Sequence, residues 1–141
     1  YEDIGLANPG MGPKVKAAGD IALELGMPEA KLPLSVVVVE MALSPKSNSA
    51  LIGILAAMKD IEDGHSGNLP LHLKNTYSFD PHQKTYLYPH DYPGAWVNQQ
   101  YLPDSIKDAI YYQPKTTSKY EQALKERYDI IQKEKKKPSN S

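Results

Sequence analysis

Large rings sit on one side of this 141-residue chain: of its twelve aromatic residues, eleven lie from Tyr77 onward and only Tyr1 precedes them. The same half carries prolines at 81, 89, 93, 103 and 114, with Pro70 just ahead of it. Proline fixes φ and removes a backbone donor, so a segment punctuated this often supports neither a long helix nor a central strand. Eleven rings are nevertheless too much apolar surface to leave in water. The pair of facts predicts an extended, ordered wrap of irregular backbone packed on the rest of the chain. Short helical turns are expected near 70–75 and 103–109, where Pro and Asp favour helix starts.

The first 76 residues read as helices. Gly12-Pro13 opens one, with Val15, Ala18, Ala22 and Leu25 on a single inner stripe and Gly26 as its stop. A second is expected over 33–43. Its four consecutive valines, Val36 to Val39, have strand propensity, but no partner strand is apparent and the segment continues through Glu40, Met41, Ala42 and Leu43. Such a helix is apolar nearly all round, which suits a bundle centre or a subunit contact. The third begins at Ser47, Asn48 or Ser49, traces a face through Leu51, Ile54, Leu55, Met58 and Ile61 or Glu62, and ends at Gly64. Ser118-Lys119-Tyr120-Glu121 forms a capping box for a last helix whose face runs Tyr120, Leu124, Tyr128, Ile131. The expected architecture is therefore all-α: helices over 1–76, the Tyr/Pro-rich wrap and closing helix over 77–132 in the same domain, and a disordered basic tail over 133–141.

Composition narrows the functional classes. Hydrophobic residues at 40% and charged residues at 23% fit a globular protein. The net charge is −1, so no global field recruits nucleic acid or an anionic membrane. There is no cysteine, which removes disulfide scaffolds, thiol nucleophiles, iron–sulfur clusters and cysteine zinc sites, and suits a reducing compartment. The longest apolar run, residues 34–39 interrupted by Ser35, falls far short of the ~20 residues of a membrane span. The chain starts at Tyr1 rather than Met, so a fragment of a longer protein is expected.

Catalytic motifs are missing. No G-x-x-x-x-G-K-[ST], G-x-G-x-x-G or G-x-S-x-G occurs. The histidines, at 65, 72, 82 and 90, include no pair one helical turn apart of the kind that binds zinc. His82, His90 and Asp91 could converge on a metal, or His90 and Asp91 serve a hydrolase, but hydrogen bonding within a proline-bounded turn is the simpler reading. Asp60, Glu62 and Asp63 read as a solvated helix end rather than paired catalytic carboxylates. Tyr88, Tyr92, Trp96 and Tyr101 could stack single-stranded DNA, yet Lys84 and Lys107 are the only cations between 80 and 110, against Asp80, Asp91, Asp104 and Asp108.

Three blocks together carry a resemblance: Glu2-Asp3-Ile4-Gly5-Leu6-Ala7; Pro45-Lys46-Ser47-Asn48-Ser49-Ala50; and Tyr88-Pro89-His90-Asp91-Tyr92-Pro93 continuing through Trp96-Val97, Gln99-Gln100-Tyr101-Leu102-Pro103-Asp104, Tyr111-Tyr112 and Pro114. Gly26-Met27-Pro28-Glu29-Ala30 and Tyr120-Glu121 extend it over nearly the whole chain. The sequence resembles the C-terminal region of the RarA (MgsA) family of AAA+ ATPases, related to clamp loaders. The resemblance implies a helical bundle like a clamp-loader collar that assembles the protein as a tetramer. It further implies a preceding ATPase module holding ATP, Mg and the Walker motifs, so that the full-length protein is a DNA-dependent ATPase while this region has no catalytic, cofactor or metal site. The implied setting is the cytoplasm, at the nucleoid, where the full-length protein acts at replication forks on DNA with single-stranded-DNA-binding protein and no membrane. Asp108-Ala109-Ile110 departs from the family, which commonly has basic residues there. Ile4 and Leu6 are expected to be under-covered so close to Tyr1.

From the apolar excess of the second and third helices, the self-association surface is expected at Val36, Val37, Val39, Glu40, Met41, Leu51, Ile54, Leu55 and Met58. The alternative is DNA stacking on Tyr88, Tyr92, Trp96 and Tyr101.

Overall fold

A computed structural model describes residues 1–74 and 86–136. Among them are four α-helices, five 3₁₀ turns and no strand, so the fold is all-α. The helices are α1 (Met11–Leu25), α2 (Lys31–Leu43), α3 (Ser49–Glu62) and α4 (Lys119–Lys135). Both α1 and α2 start two residues earlier than their prolines suggest, placing Pro13 and Pro33 at the third helical position. The reason is that none of the first four helical N–H groups has an intrahelical partner, so proline loses nothing at any of them. Gly26, at φ 70°, ends α1 and donates to the Ala22 carbonyl at 3.0 Å.

The chain forms two compact units interleaved along the sequence. One comprises Tyr1–Leu55 and Tyr111–Asp129, the other Ala56–Ile110 and Ile130–Ser141. In the first unit α1 packs on α2, and the core there is Met11, Ala18 and Val37, with Ile4 and Met41 against it. The expected α1 stripe is corrected: Met11 and Ala18 are its buried members, while Val15 and Leu25 are exposed. Ile4 and Leu6 are half-buried, so Ile4 finds more cover than its position near Tyr1 suggested.

In the second unit, side-chain amides do what a sheet ladder would otherwise do. Gln99 clasps Leu87 from both sides, donating to its carbonyl at 2.7 Å and accepting from its N–H at 3.1 Å. Gln100 donates to the Leu102 carbonyl and to Asp104, and the His72 ring nitrogen pairs with the Gln100 carbonyl at 2.8 Å. The turns expected near 70–75 and 103–109 appear as Leu71–Leu73 and Asp104–Ile106, and the proline-bounded turn holding His90 and Asp91 as Pro89–Asp91; those at Gly5–Ala7 and Pro93–Ala95 were not anticipated. Helix α4 continues through Lys135, so Lys133 to Lys135 belong to it rather than to a tail. Residues 75–85, which hold Tyr77, Phe79 and His82, and residues 137–141 lie outside the described residues.

Candidate functional site

Helix α2 divides its valines. Val37 is 7% exposed and faces α1, whereas Val36 is 63% exposed and Val39, Leu32 and Leu43 are also open. Leu32, Val36, Val39 and Leu43 recur at i, i+4, i+7 and i+11, one continuous stripe on the side away from Val37. Of the residues expected at the interface, Val37 lies in the chain's own core, half-buried Met41 packs against that core, and half-buried Glu40 pairs with Lys14 of α1 at 2.5 Å. Lys14 holds the Glu40 carboxyl below its ordinary range by that hydrogen bond. Leu32 and Leu43 were not singled out from sequence because α2 is apolar nearly all round, which leaves little periodic signal to choose a face.

Helix α3 is inside out relative to its sequence pattern. Its inner stripe is made of small or polar residues: Ser49 is buried, and Gly53, Ala57 and Asp60 are half-buried. A Cβ on Gly53 would stand 3.1 Å from the Tyr111 carbonyl oxygen, so glycine lets that backbone lie directly on the helix. The large residues point out. Ile54, Leu55 and Met58 are about half exposed, Ile61 is 65% exposed, and only Leu51 is half-buried. The sequence-predicted face is therefore only partly covered among the described residues.

The first unit is tied together by a fully buried carboxylate that sequence reasoning assigned to a capping box. Half of that box forms: the Glu121 N–H donates to Ser118 Oγ at 3.1 Å. The Glu121 side chain instead turns inward, where Oε1 accepts from Ser49 Oγ, from the Lys115 N–H at 3.1 Å and from Tyr112 Oη at 3.3 Å. Oε2 is buried with no hydrogen-bond partner. Burial alone would raise its pKa, but the hydroxyls of Ser47 and Ser49, the Lys115 N–H and the Tyr112 hydroxyl together hold it below the ordinary value. Burial first, and then the Glu121 charge, push Tyr112 up to about 12. Around this carboxylate the short motifs converge. Lys115 Nζ donates to Asn48, Thr117 Oγ1 donates to the Lys46 carbonyl at 2.7 Å, and the Ser47 N–H donates to the Asp3 carbonyl at 2.9 Å. On α4 Glu121 is buried, Leu124, Tyr128 and Ile131 are half-buried, and Tyr120 is exposed. Tyr128 meets Tyr112 edge to face at 5.6 Å.

The described aromatics of the second unit are more open than expected. Tyr86, Tyr88, Tyr92 and Tyr101 are exposed and Trp96 is half-buried. Gln99 also donates to Tyr101 Oη at 2.9 Å, which places that ring beside the clasped Leu87. His90 and Asp91 are both exposed in the turn Pro89–Asp91, the His90 ring 5.0 Å from that of Tyr88. Asp60 lies 3.6 Å from His65 and Asp63 pairs with Lys59 at 2.7 Å, so these carboxylates face bases rather than each other. Among the described residues no group of three or more His, Asp or Glu could hold a metal, and no helix is long and apolar enough to cross a membrane.

The fold thus defines an all-α domain whose best-developed features among the described residues are a structural carboxylate and two partly exposed apolar stripes. The chain belongs to the family described as MgsA AAA+ ATPase C terminal, which it matches over residues 1–132. It is 48% identical to Replication-associated recombination protein A of Bacillus subtilis (strain 168) over 96% of its own length and 33% of that protein's. Proteins of the same name from Haemophilus influenzae and Escherichia coli (strain K12) are 27% and 29% identical over 96% and 80% of this chain. The chain spans about a quarter to a third of the length of these relatives.

Proposed function

We propose that this domain assembles copies of a RarA-like AAA+ ATPase and performs no reaction itself. In this reading ATP and Mg bind in a separate module of the longer protein, four copies join through the present domain, and the whole acts on DNA at replication forks with single-stranded-DNA-binding protein, in the cytoplasm at the nucleoid. One observation carries it: α3 buries a stripe of small residues and turns Ile54, Leu55, Met58 and Ile61 outward. Fully burying such a side chain is worth roughly 1.5–3 kcal/mol, so each of these, about half exposed, forgoes about half of that, an arrangement that favours a covering subunit. The exposed α2 stripe of Leu32, Val36, Val39 and Leu43 supports the same reading.

Light scattering on the chain at high micromolar concentration tests it. A mass several times that of one copy is expected, reduced toward one copy by Val36→Asp or Ile54→Asp. A strict monomer in the unsubstituted chain overturns the reading.

A second reading is favoured by the exposure of Tyr88, Tyr92 and Tyr101: these rings, with Trp96, stack the bases of single-stranded DNA. It requires oligonucleotides to quench Trp96 fluorescence, less so as salt rises. Unchanged fluorescence at low salt removes it.

A further inference from the structure

Helix α2 is apolar around more of its circumference than one partner covers. At about 100° per residue, with Val37 set toward α1, Leu34, Val38 and Ala42 stand about 100° to one side of that direction. The stripe of Leu32, Val36, Val39 and Leu43 stands about 130° to the other side. Leu34 is 40% and Val38 57% exposed, so this second side is open as well. The exposed apolar arc is then about 200° wide, about twice the arc of a helix with a single packing face. Two polar residues lie within it, Lys31 in the first turn and Ser35, and Ser35 closes its hydroxyl inside the helix by donating to the Leu32 carbonyl at 2.9 Å. Among the described residues α1 is the only helix packed on α2. The two open stripes flank the direction opposite α1, which is the setting of a helix at the centre of a bundle with two neighbours still to come.

We propose that α2 packs against the α2 helices of two other copies of this chain, each stripe meeting its own counterpart about a twofold axis, with α1 outside them. This rests on the assembly reading and specifies its contacts. Area argues for copies rather than a separate partner. A fully buried Val or Leu side chain removes roughly 60–120 Å² of apolar surface from water, so the six large residues of the two stripes, 40–81% exposed, leave roughly 200–450 Å² open. One side of a standard interface holds roughly 450–500 Å² of apolar surface. Either stripe alone is too small to hold a separate partner. In a closed set of copies both stripes are used at once, and the last contact forms at about millimolar effective concentration. The pattern agrees: Leu32, Val36, Val39 and Leu43 are spaced four, three and four apart, the seam with which one helix packs on another of its kind, and neither stripe carries a charge to repel its counterpart.

The absence of cysteine makes a direct test. Val36→Cys and Val38→Cys, each near the middle of its stripe and both outside the core of Met11, Ala18 and Val37, are placed singly and together in this chain. The variants are treated with bismaleimidoethane and resolved by denaturing electrophoresis. Each single variant should give covalent pairs, and the double variant species of three and four chains, because every copy is then joined on both sides. A double variant that stops at two chains overturns the proposal, as does either single variant that stays unpaired. Light scattering at high micromolar concentration is the second measurement. Val36→Asp and Val38→Asp should each bring the mass to no more than two copies, and together to one. A Val38→Asp chain that keeps the unsubstituted mass overturns the two-sided contact and leaves assembly standing, whereas an unsubstituted chain of one copy overturns assembly itself. Crosslinking introduces no charge, so it reads the contact even where an aspartate variant unfolds.

Discussion

Replacing Glu121 by alanine is expected to be among the most damaging single changes available in the first unit. The carboxylate is fully buried and accepts from Ser49 Oγ, Tyr112 Oη and the Lys115 N–H. Without it the three donors fare differently. Ser49 Oγ can still reach Ser47 Oγ at 3.1 Å, and half-buried Tyr112 can turn toward water, but the Lys115 N–H is held by its backbone. One to two donors are then orphaned at about 1–3 kcal/mol each. Adding the methylene packing lost with the side chain brings the total to roughly 3–5 kcal/mol, in the range for breaking a buried charged cluster. That is a large share of the 5–15 kcal/mol typical of a domain. Urea unfolding followed by far-UV circular dichroism measures it, and an unchanged m-value assigns the loss to the folded state. Glu121→Gln keeps an acceptor oxygen and should cost less than Glu121→Ala. A loss below about 1 kcal/mol for Glu121→Ala would refute the view that this carboxylate holds the segments together. The pH dependence gives a second check. The folded-state pKa lies below 4.5, so the stabilisation is complete above that value and disappears as pH falls through the lower folded-state pKa. The alanine variant should lack this part of the acid sensitivity.

Two further outcomes follow from the same region. Gly5 sits at φ 46°, and a Cβ there would be 2.5 Å from the Ser47 carbonyl oxygen, so Gly5→Ala should destabilise by about 1–3 kcal/mol in the same urea assay; a neutral result would mean the turn relaxes freely. Tyr112 titrates at about 12 instead of 10, so the fold favours its neutral form: its contribution is complete below pH 10 and is lost as pH rises toward 12. Tyr112→Phe should cost about 0.5–1.5 kcal/mol at neutral pH and blunt the alkaline loss, as followed by melts between pH 9 and 12.

Much of the helical framework was legible without coordinates. Gly26 and Gly64 mark real ends, Ser118 caps α4, and Ser47 Oγ accepts from the Ser49 N–H at 3.4 Å at the start of α3. These are local events, decided by residues within a turn of one another. Exposure was less legible: among the residues named from sequence, Val36, Ile54, Leu55 and Met58 are exposed, while Val37, Glu40 and Met41 are engaged within the chain. Glu121 was visible only as a capping residue, since its partners at 49 and 112 are distant in sequence and each is unremarkable alone.

By itself, then, the order of residues determined that the chain is helical and where its helices lie to within about two residues, because propensity, capping and glycine spacing act over a few residues. Tertiary structure alone decided which apolar face is covered. Periodicity says that Ile54 and Met58 share a side of α3, but burial depends on what the chain brings against that side. Here the backbone at Tyr111 came to Gly53 instead, leaving the larger face open.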